Sequence, residues 1–167
     1  MNFREMEAKE QDFTAFVQEH QETIFTICLM YARDREEAND MMQEALVNLW
    51  KAHGTFRGES QLRSWVWRIC VNSCVSYSRK HPLGDKVHAF DFTGLVADEE
   101  EDKQVRQLHE RIHRLRPFDR ALVLLWMEDL SYQEIGEILG ITAHNVGTRL
   151  YRIKEELRNM SNQKNEK

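Results

Sequence analysis

The sequence predicts an all-α protein made of two small helical domains joined by a flexible linker. Proline occurs twice and glycine seven times in 167 residues, which is few for a protein rich in turns. Apolar residues recur at intervals of three and four over most of the chain, as in amphipathic helices. Residues 82–103 lack this repeat and end in an acidic run. We therefore predict domains at 1–81 and 104–167, with the linker at 82–103.

The composition argues against several classes of protein. No run of about 18 apolar residues occurs, so we expect no direct membrane insertion. The first residues, MNFREMEAKEQDF, are charged, which argues against a secretory signal peptide and predicts a cytoplasmic location. The three cysteines fall inside predicted helices, as small buried residues do, and the seven histidines lack metal-ligand spacing. We expect no metal, no cofactor and no small-molecule substrate.

The first domain begins with two amphipathic helices. One apolar stripe runs through residues 10–32, and Asp34, with Glu37 in the capping-box position, is suited to cap a second helix that ends at Gly54. The face of this second helix opposite its apolar stripe is acidic and polar, and it includes Asp40, Gln43 and Glu44. The pattern alone fits a solvated face and a binding surface equally well.

A loop with two glycines, GTFRGES, leads to a third helix that Ser60 can cap. The inner stripe of this helix is predicted to contain Leu62, Trp65, Val66, Ile69 and Ser73. Aromatic, basic and polar side chains lie on the loop and elsewhere on the helix, and they include Phe56, Arg57, Arg63, Trp67, Arg68 and Asn72. Aromatic rings stack on unpaired bases while arginines hold the backbone, so the segment suits single-stranded nucleic acid. We interpret Trp65 as a core residue, and Phe56 and Trp67 as the better candidates for stacking.

Pro82 ends the third helix and opens the linker. The linker carries apolar residues that could dock on a domain or a partner, namely Phe90, Phe92, Leu95 and Val96. The next helix has its apolar stripe at Val105, Leu108, Ile112 and Leu115. Pro117 breaks that helix and suits the first turn of the following one, in which Leu122, Leu125 and Trp126 are predicted to pack inward.

The stretch from Ser131 to Leu157 predicts a helix-turn-helix. Ser131 and Glu134 form a capping-box signature, so a helix should begin at Tyr132. Gly140 can adopt the left-handed conformation that ends this helix. Thr142 can cap a second helix, whose apolar stripe is Val146, Leu150, Ile153 and Leu157. In such a motif the second helix is the one that enters the DNA major groove.

The solvent side of this second helix carries groups that hydrogen-bond to base edges or phosphates. They are His144, Asn145, Thr148, Arg149 and Arg152. Any amphipathic helix has polar residues opposite its apolar stripe, and that plainer reading remains an alternative. The combination of capping box, glycine turn and basic second helix favours DNA binding.

The net charge of −5 hides a segregated distribution. Residues 1–50 and 82–104 are acidic in balance, whereas residues 51–81 and 105–167 are basic. We therefore expect two contacts with nucleic acid and a different partner for the acidic face.

These motifs together resemble the bacterial sigma factors of RNA polymerase, in the compact extracytoplasmic-function group. ANDMMQEALVNLWK and WVWRICVN are similar to two patterns of the family's first domain, and the stretch from LRPFDRALVLLWMEDL through the helix-turn-helix is similar to its closing domain. The resemblance covers the chain from about Phe13 to Leu157. It implies a promoter-recognition subunit that is not an enzyme.

The resemblance also implies a role for each surface. The second helix, around Asp40, Gln43 and Glu44, would bind core RNA polymerase. The loop and third helix, around Phe56, Arg63, Trp67, Arg68 and Asn72, would read and trap the unwound minus-10 element of promoter DNA. The minus-35 element would be contacted by Tyr132, Gln133, Asn145, Thr148, Arg149 and Arg152. An anti-sigma factor is an expected regulatory partner.

Two positions depart from the family pattern. Asn39 stands where the family usually has Glu, and Gly147 stands where related recognition helices often carry Arg. The second difference predicts an altered promoter preference. Two other functions remain as alternatives, a dimeric helix-turn-helix regulator and, more remotely, an enzyme. The regulator would leave the aromatic and basic third helix unexplained, and no phosphate-binding loop or nucleophile motif supports an enzyme.

Overall fold

The computed structural model describes residues 3–58, 62–82 and 99–165. These ranges contain seven α-helices and no strand, which confirms the all-α prediction. None of the described helices is long and apolar enough to span a bilayer. The helices are α1 (Phe3–Tyr31), α2 (Arg35–His53), α3 (Leu62–Lys80), α4 (Glu99–Arg114), α5 (Pro117–Met127), α6 (Tyr132–Leu139) and α7 (Ala143–Asn165).

Local sequence signals set several of the helix ends. The Asp34 carboxylate accepts a hydrogen bond from the Glu37 N–H at 2.8 Å, as predicted. The Glu37 side chain does not complete a capping box with Asp34, because it accepts hydrogen bonds from the backbone N–H and the guanidinium of Arg33 instead. Pro117 occupies the first turn of α5, where its missing N–H costs nothing.

The helix-turn-helix forms as its sequence predicts. The Ser131 hydroxyl accepts from the Glu134 N–H, and the Glu134 carboxylate accepts from the Ser131 N–H, so both halves of the capping box are present. Gly140 ends α6 in the left-handed region with a φ of 72°. The Thr142 hydroxyl accepts from the Asn145 N–H at 3.2 Å and caps α7.

Two helices are longer than predicted. The first begins at Phe3 rather than near residue 10, and α4 begins at Glu99, inside the predicted linker. An acidic first turn is favourable at a helix N-terminus, which explains why the acidic run of the linker can start a helix. The predicted cap Ser60 and the apolar linker residues Phe90, Phe92, Leu95 and Val96 lie outside the described residues.

Helices α1 to α3 pack together as an N-terminal group, and α5 to α7, with α4, form a C-terminal group. The core of the N-terminal group includes all three cysteines, which are buried and free, as predicted. The Sγ atoms of Cys28 and Cys74 are 3.8 Å apart. Burial raises the pKa of the Cys70 thiol. The cysteines therefore behave as small apolar core residues.

Trp126 was predicted to pack inward, and that prediction is wrong. Its side chain is 40% exposed, and the Lys154 ammonium lies 3.9 Å from the centroid of its ring. Leu122 and Leu125 are buried as expected. Trp126 follows Leu125 directly and so lies about 100° round the helix from it, at the edge of the buried face, where a lysine from α7 covers it.

The two groups pack against each other through a buried polar cluster at α1, α4 and α5. The Tyr31 hydroxyl donates to the carbonyl of Pro117 at 3.0 Å. Arg120, only 2% exposed, donates to the carbonyls of Tyr31, Ile112, His113 and Leu115. Because these backbone acceptors come from both groups, the guanidinium ties the end of α1 to the α4–α5 turn.

Two buried histidines of α4 complete this cluster. Nε2 of His109 lies 3.2 Å from the carbonyl of Leu29, on α1. Burial, together with the nearby Arg120 guanidinium, lowers the pKa of His113 to about 2. Burial also lowers the pKa of His109. Both imidazoles are therefore neutral at pH 7, and the contact between the groups is built for uncharged rings.

Candidate nucleic-acid interface

The recognition face of α7 is open to solvent. His144, Asn145, Thr148 and Arg152 are exposed, while Val146, Leu150 and Ile153 are buried against the rest of the C-terminal group. Tyr132 and Gln133, at the start of α6, are exposed beside this face. The structure therefore brings these predicted minus-35 residues onto one accessible surface.

Arg149 differs from its neighbours on this face because its side chain contacts another helix, α5. Its guanidinium forms an ion pair with Asp119 at 3.2 Å and lies 4.8 Å from the centroid of the Phe118 ring. Both partners belong to the first turn of α5. The side chain is thus drawn toward α5, at the edge of the recognition face.

Gly147 is explained by its neighbour Tyr132. A Cβ atom at position 147 would lie 3.2 Å from Cε2 of the tyrosine ring. The ring therefore occupies the space that a side chain from this position of the recognition helix would enter. At this point the recognition face presents the edge of the Tyr132 ring, from α6, in place of a side chain at position 147.

Sequence reasoning missed Gly136, which sets the geometry of the motif. A Cβ atom at this position would come within 2.5 Å of the Ile141 carbonyl oxygen, and the Ile141 N–H donates to the Gly136 carbonyl at 3.0 Å. Only a residue without a side chain allows the turn to approach α6 this closely. The signal was a glycine inside an amphipathic helix, four residues before Gly140.

The exposure of the two tryptophans in α3 is the reverse of the prediction. Trp67, predicted to lie off the inner stripe, is buried with 2% exposure, whereas Trp65 is partly exposed. The centroids of the Phe56 and Trp65 rings are 5.1 Å apart. The partly exposed aromatic pair beside the loop is therefore Phe56 and Trp65.

Helix α3 is in contact with both helical groups. Besides α1 and α2, helices α5 and α6 pack against it. Arg63 forms an ion pair with Glu128 at 2.8 Å, and Arg68 donates to the Glu137 carbonyl at 3.1 Å. Trp67 is in line with Cys70 and Cys74, three and seven residues further along α3, so it belongs to the face of the helix that is buried in the core.

Two further members of the predicted minus-10 set stay accessible. Arg57 in the loop and Asn72 on α3 are exposed, and Phe56 is partly so. The structure thus leaves part of the predicted single-strand surface open, while Arg63 and Arg68 contact the C-terminal group and Trp67 is buried.

The acidic face of α2 is a third accessible surface. Asp40 and Gln43 are exposed, and Val47, one turn further along, is half exposed. Glu44 accepts a hydrogen bond from Lys80 at 3.3 Å. This face is therefore open to a partner at Asp40 and Gln43, with Glu44 bonded within the chain. In the described ranges, no three potential metal-ligating side chains come together.

Models of two protein families match separate parts of the chain. Sigma-70 region 2 matches residues 16–82, and Sigma-70 region 4 matches residues 105–157. The first match contains the loop and the covered helix α3. The second contains the helix-turn-helix.

Curated relatives match over most of their length. The chain is 26% identical to RNA polymerase sigma factor SigV of Bacillus subtilis, over 85% of this chain and 86% of SigV. It is also 26% identical to the ECF RNA polymerase sigma-E factor of Haemophilus influenzae, over 93% of this chain and 90% of that protein.

The fold is similar to that of a solved sigma factor. The sigma factor RpoE of Bartonella quintana, crystallised with the anti-sigma factor NepR, superposes with a TM-score of 0.72 at 17% identity. The match covers 91% of this chain and 98% of that one. At this identity the similarity concerns the fold.

Proposed function

Since the chain belongs to the sigma-70 family, in its extracytoplasmic-function group, we propose that it binds core RNA polymerase and directs initiation at promoters whose minus-35 and minus-10 elements it recognises. Members of this family are initiation factors rather than enzymes. The observation that carries the proposal is the open recognition face of α7, on a fully capped helix-turn-helix.

Duplex recognition is assigned to α6 and α7. Asn145 and Thr148 are exposed near the N-terminal end of the recognition helix, where base edges in the major groove are read. Tyr132, Gln133 and His144 border this face. Arg149 and Arg152 lie further along the helix, so they are placed for the backbone as well as for bases.

Capture of the unwound strand is assigned to the loop and α3, through Phe56, Arg57, Arg63, Trp67, Arg68 and Asn72. The exposed Arg57 and Asn72 and the aromatic pair Phe56–Trp65 give the accessible part of this surface. Trp65 replaces Trp67 as the stacking candidate while the groups are packed. Full use of Arg63 and Arg68 requires them to leave Glu128 and Glu137, so α3 must separate from α5 and α6.

Polymerase is assigned to the acidic face of α2, at Asp40, Gln43 and Glu44. The exposure of Asp40 and Gln43, with the half-exposed Val47 beside them, leaves this face open to a protein partner. Since each DNA-reading surface is small, affinity for a promoter should come from polymerase holding both at a fixed spacing. An anti-sigma factor is proposed as a partner, because the similar Bartonella protein was crystallised with one. The cytoplasmic location remains a prediction.

Run-off transcription with purified core polymerase on genomic promoter fragments tests the proposal. Asn145→Ala is expected to weaken closed-complex formation, Phe56→Ala to slow strand opening, and Asp40→Ala to weaken association with core enzyme. Ser161→Ala, at the far end of α7, is the matched control. A wild-type chain that neither associates with core polymerase nor redirects initiation would refute the function.

A further inference from the structure

A cleft of about 400 Å³ lies between the α4–α5 turn and α7. Four arginines line it, two from each side: Arg114 and Arg116 at the turn, and Arg149 and Arg152 on the recognition helix. Two carboxylates, Asp119 and Glu156, also line it. The cleft therefore carries two more positive than negative charges, in a chain whose net charge is −5.

The positive charge of the cleft is largely uncommitted. Asp119 is engaged by Arg149 at 3.2 Å. Arg114, Arg116 and Arg152 are exposed, and within the ranges that the structure describes none of them forms an ion pair. These three guanidinium groups repel each other across the cleft, and the one remaining carboxylate, Glu156, cannot neutralise all three.

We propose that this cleft binds a phosphate group of the DNA backbone next to the minus-35 element. The inference rests on the proposed function and adds the α4–α5 turn to the duplex contact. Guanidinium groups match the oxygens of a phosphate in a bidentate manner, which favours phosphate over a single-point anion.

The position of the cleft fits the edge of a major-groove contact. Arg152 lies one turn, about 6 Å, along α7 from Thr148, on the exposed side of the helix. A helix that inserts its N-terminal end into the groove carries its next turns past the sugar–phosphate backbone. Arg114 and Arg116 approach the same place from the α4–α5 turn.

This arrangement also assigns a role to Arg149. Asp119 and the Phe118 ring hold its guanidinium on the cleft side of α7. Arg149 therefore contributes affinity through the backbone, and discrimination between bases falls to Asn145 and Thr148.

The test is the salt dependence of promoter binding by reconstituted holoenzyme, on a duplex that ends before the minus-10 element. Arg114→Ala and Arg116→Ala are each expected to weaken binding equally on promoter and scrambled duplexes. Each should also reduce the slope of log K against log salt by about one unit, as loss of one phosphate contact does. Arg158→Ala is the control, because it removes one exposed arginine of α7 outside the cleft and should leave the slope unchanged.

The outcomes separate this site from the function it rests on. Wild-type preference for the promoter duplex, together with unchanged slopes for both cleft variants, overturns the cleft and leaves the function standing. A wild-type holoenzyme without promoter preference overturns both. Asn145→Ala should reduce the preference for the promoter without changing the slope, which distinguishes base reading from backbone binding.

A second arm uses inorganic phosphate against chloride at equal ionic strength, with thermal unfolding of the full chain as the readout. Suppose that phosphate raises the melting temperature of the wild type but not that of the Arg114→Ala/Arg116→Ala variant, and that the DNA slopes are unchanged. The cleft would then bind free phosphate. That result overturns the backbone assignment. A reduced slope in the first arm supports it.

Discussion

Helices α3 and α7 are both basic, amphipathic and assigned to DNA, yet the fold treats them differently. The polar face of α7 is open, and its arginines face solvent or a cleft. On α3, Arg63 and Arg68 bond to the C-terminal group, and Trp67 is buried. If the proposed DNA contacts are right, this arrangement leaves the duplex surface fully open and the single-strand surface only partly so.

The largest expected effect sharpens the difference between the two tryptophans of α3. Trp67→Ala should lower the free energy of unfolding by about 3–5 kcal/mol, the usual cost of removing a buried aromatic side chain. Trp65→Ala should cost clearly less, because its ring is partly exposed. Urea unfolding followed by circular dichroism measures both. Equal losses would contradict the burial that separates them.

The second prediction disrupts the helix-turn-helix that positions α7. Gly136→Ala should destabilise the protein by about 1–3 kcal/mol, because its Cβ would collide with the Ile141 carbonyl. Duplex binding should fall with it. Gly140→Ala is the control: it has space around its Cβ, but its positive φ costs about 1–2 kcal/mol. Thermal unfolding ranks the two, and the account fails if Gly136→Ala is the milder change.

The third prediction concerns acid. An unfolded histidine binds a proton near pH 6.5, whereas the pKa of His113 in the folded chain is about 2. Between these values the unfolded state binds more protons, so stability is lost as the pH falls below about 6.5, by up to roughly 1.4 kcal/mol per pH unit. Its Nε2 atom has no hydrogen-bond partner in the described part of the chain, so a proton there would gain no acceptor.

This loss should appear first at the contact between α1 and α4. Equilibrium unfolding between pH 7 and pH 5 measures the slope, and His113→Leu should reduce it. A wild-type slope that His113→Leu leaves intact would place the titrating group elsewhere.

The smallest expected effect concerns the contact between α3 and the C-terminal group. Glu128→Ala removes the partner of Arg63 in an exposed ion pair, which is worth about 0.2–1 kcal/mol. Amide hydrogen exchange should rise in α3 and stay unchanged in α7. Glu155→Ala, which removes the exposed Arg158 pair on α7, is the matched control. If Glu155→Ala speeds amide exchange in α3 and Glu128→Ala does not, the Arg63–Glu128 pair does not hold the C-terminal group against α3.

Features that depend on a few adjacent residues were predictable. The Ser131–Glu134 capping box, the left-handed Gly140 and the position of Pro117 all follow from local backbone chemistry. A capping residue needs only the N–H groups two or three positions ahead, so the sequence contains the whole interaction.

Features that depend on distant parts of the chain were not predictable. Helix α3 has apolar side chains on more than one face, and apolar periodicity cannot show that the buried face is the one with Trp67, Cys70 and Cys74. Arg149 is held by Asp119, thirty residues earlier in the chain. The early start of α4 has a local cause, since an acidic first turn suits a helix N-terminus, but the same run of charges also reads as a linker.

The contact between Tyr132 and Gly147 limits how the DNA preference proposed for this protein could be changed by mutation. Substitutions at His144, Asn145 and Thr148 change side chains that are already exposed. Placing a long side chain at position 147 is different, because the Tyr132 ring must first move or be replaced by a smaller side chain. A library that varies 132 and 147 together should therefore yield specificities that single substitutions cannot reach, and the two positions should behave as one unit in any such selection.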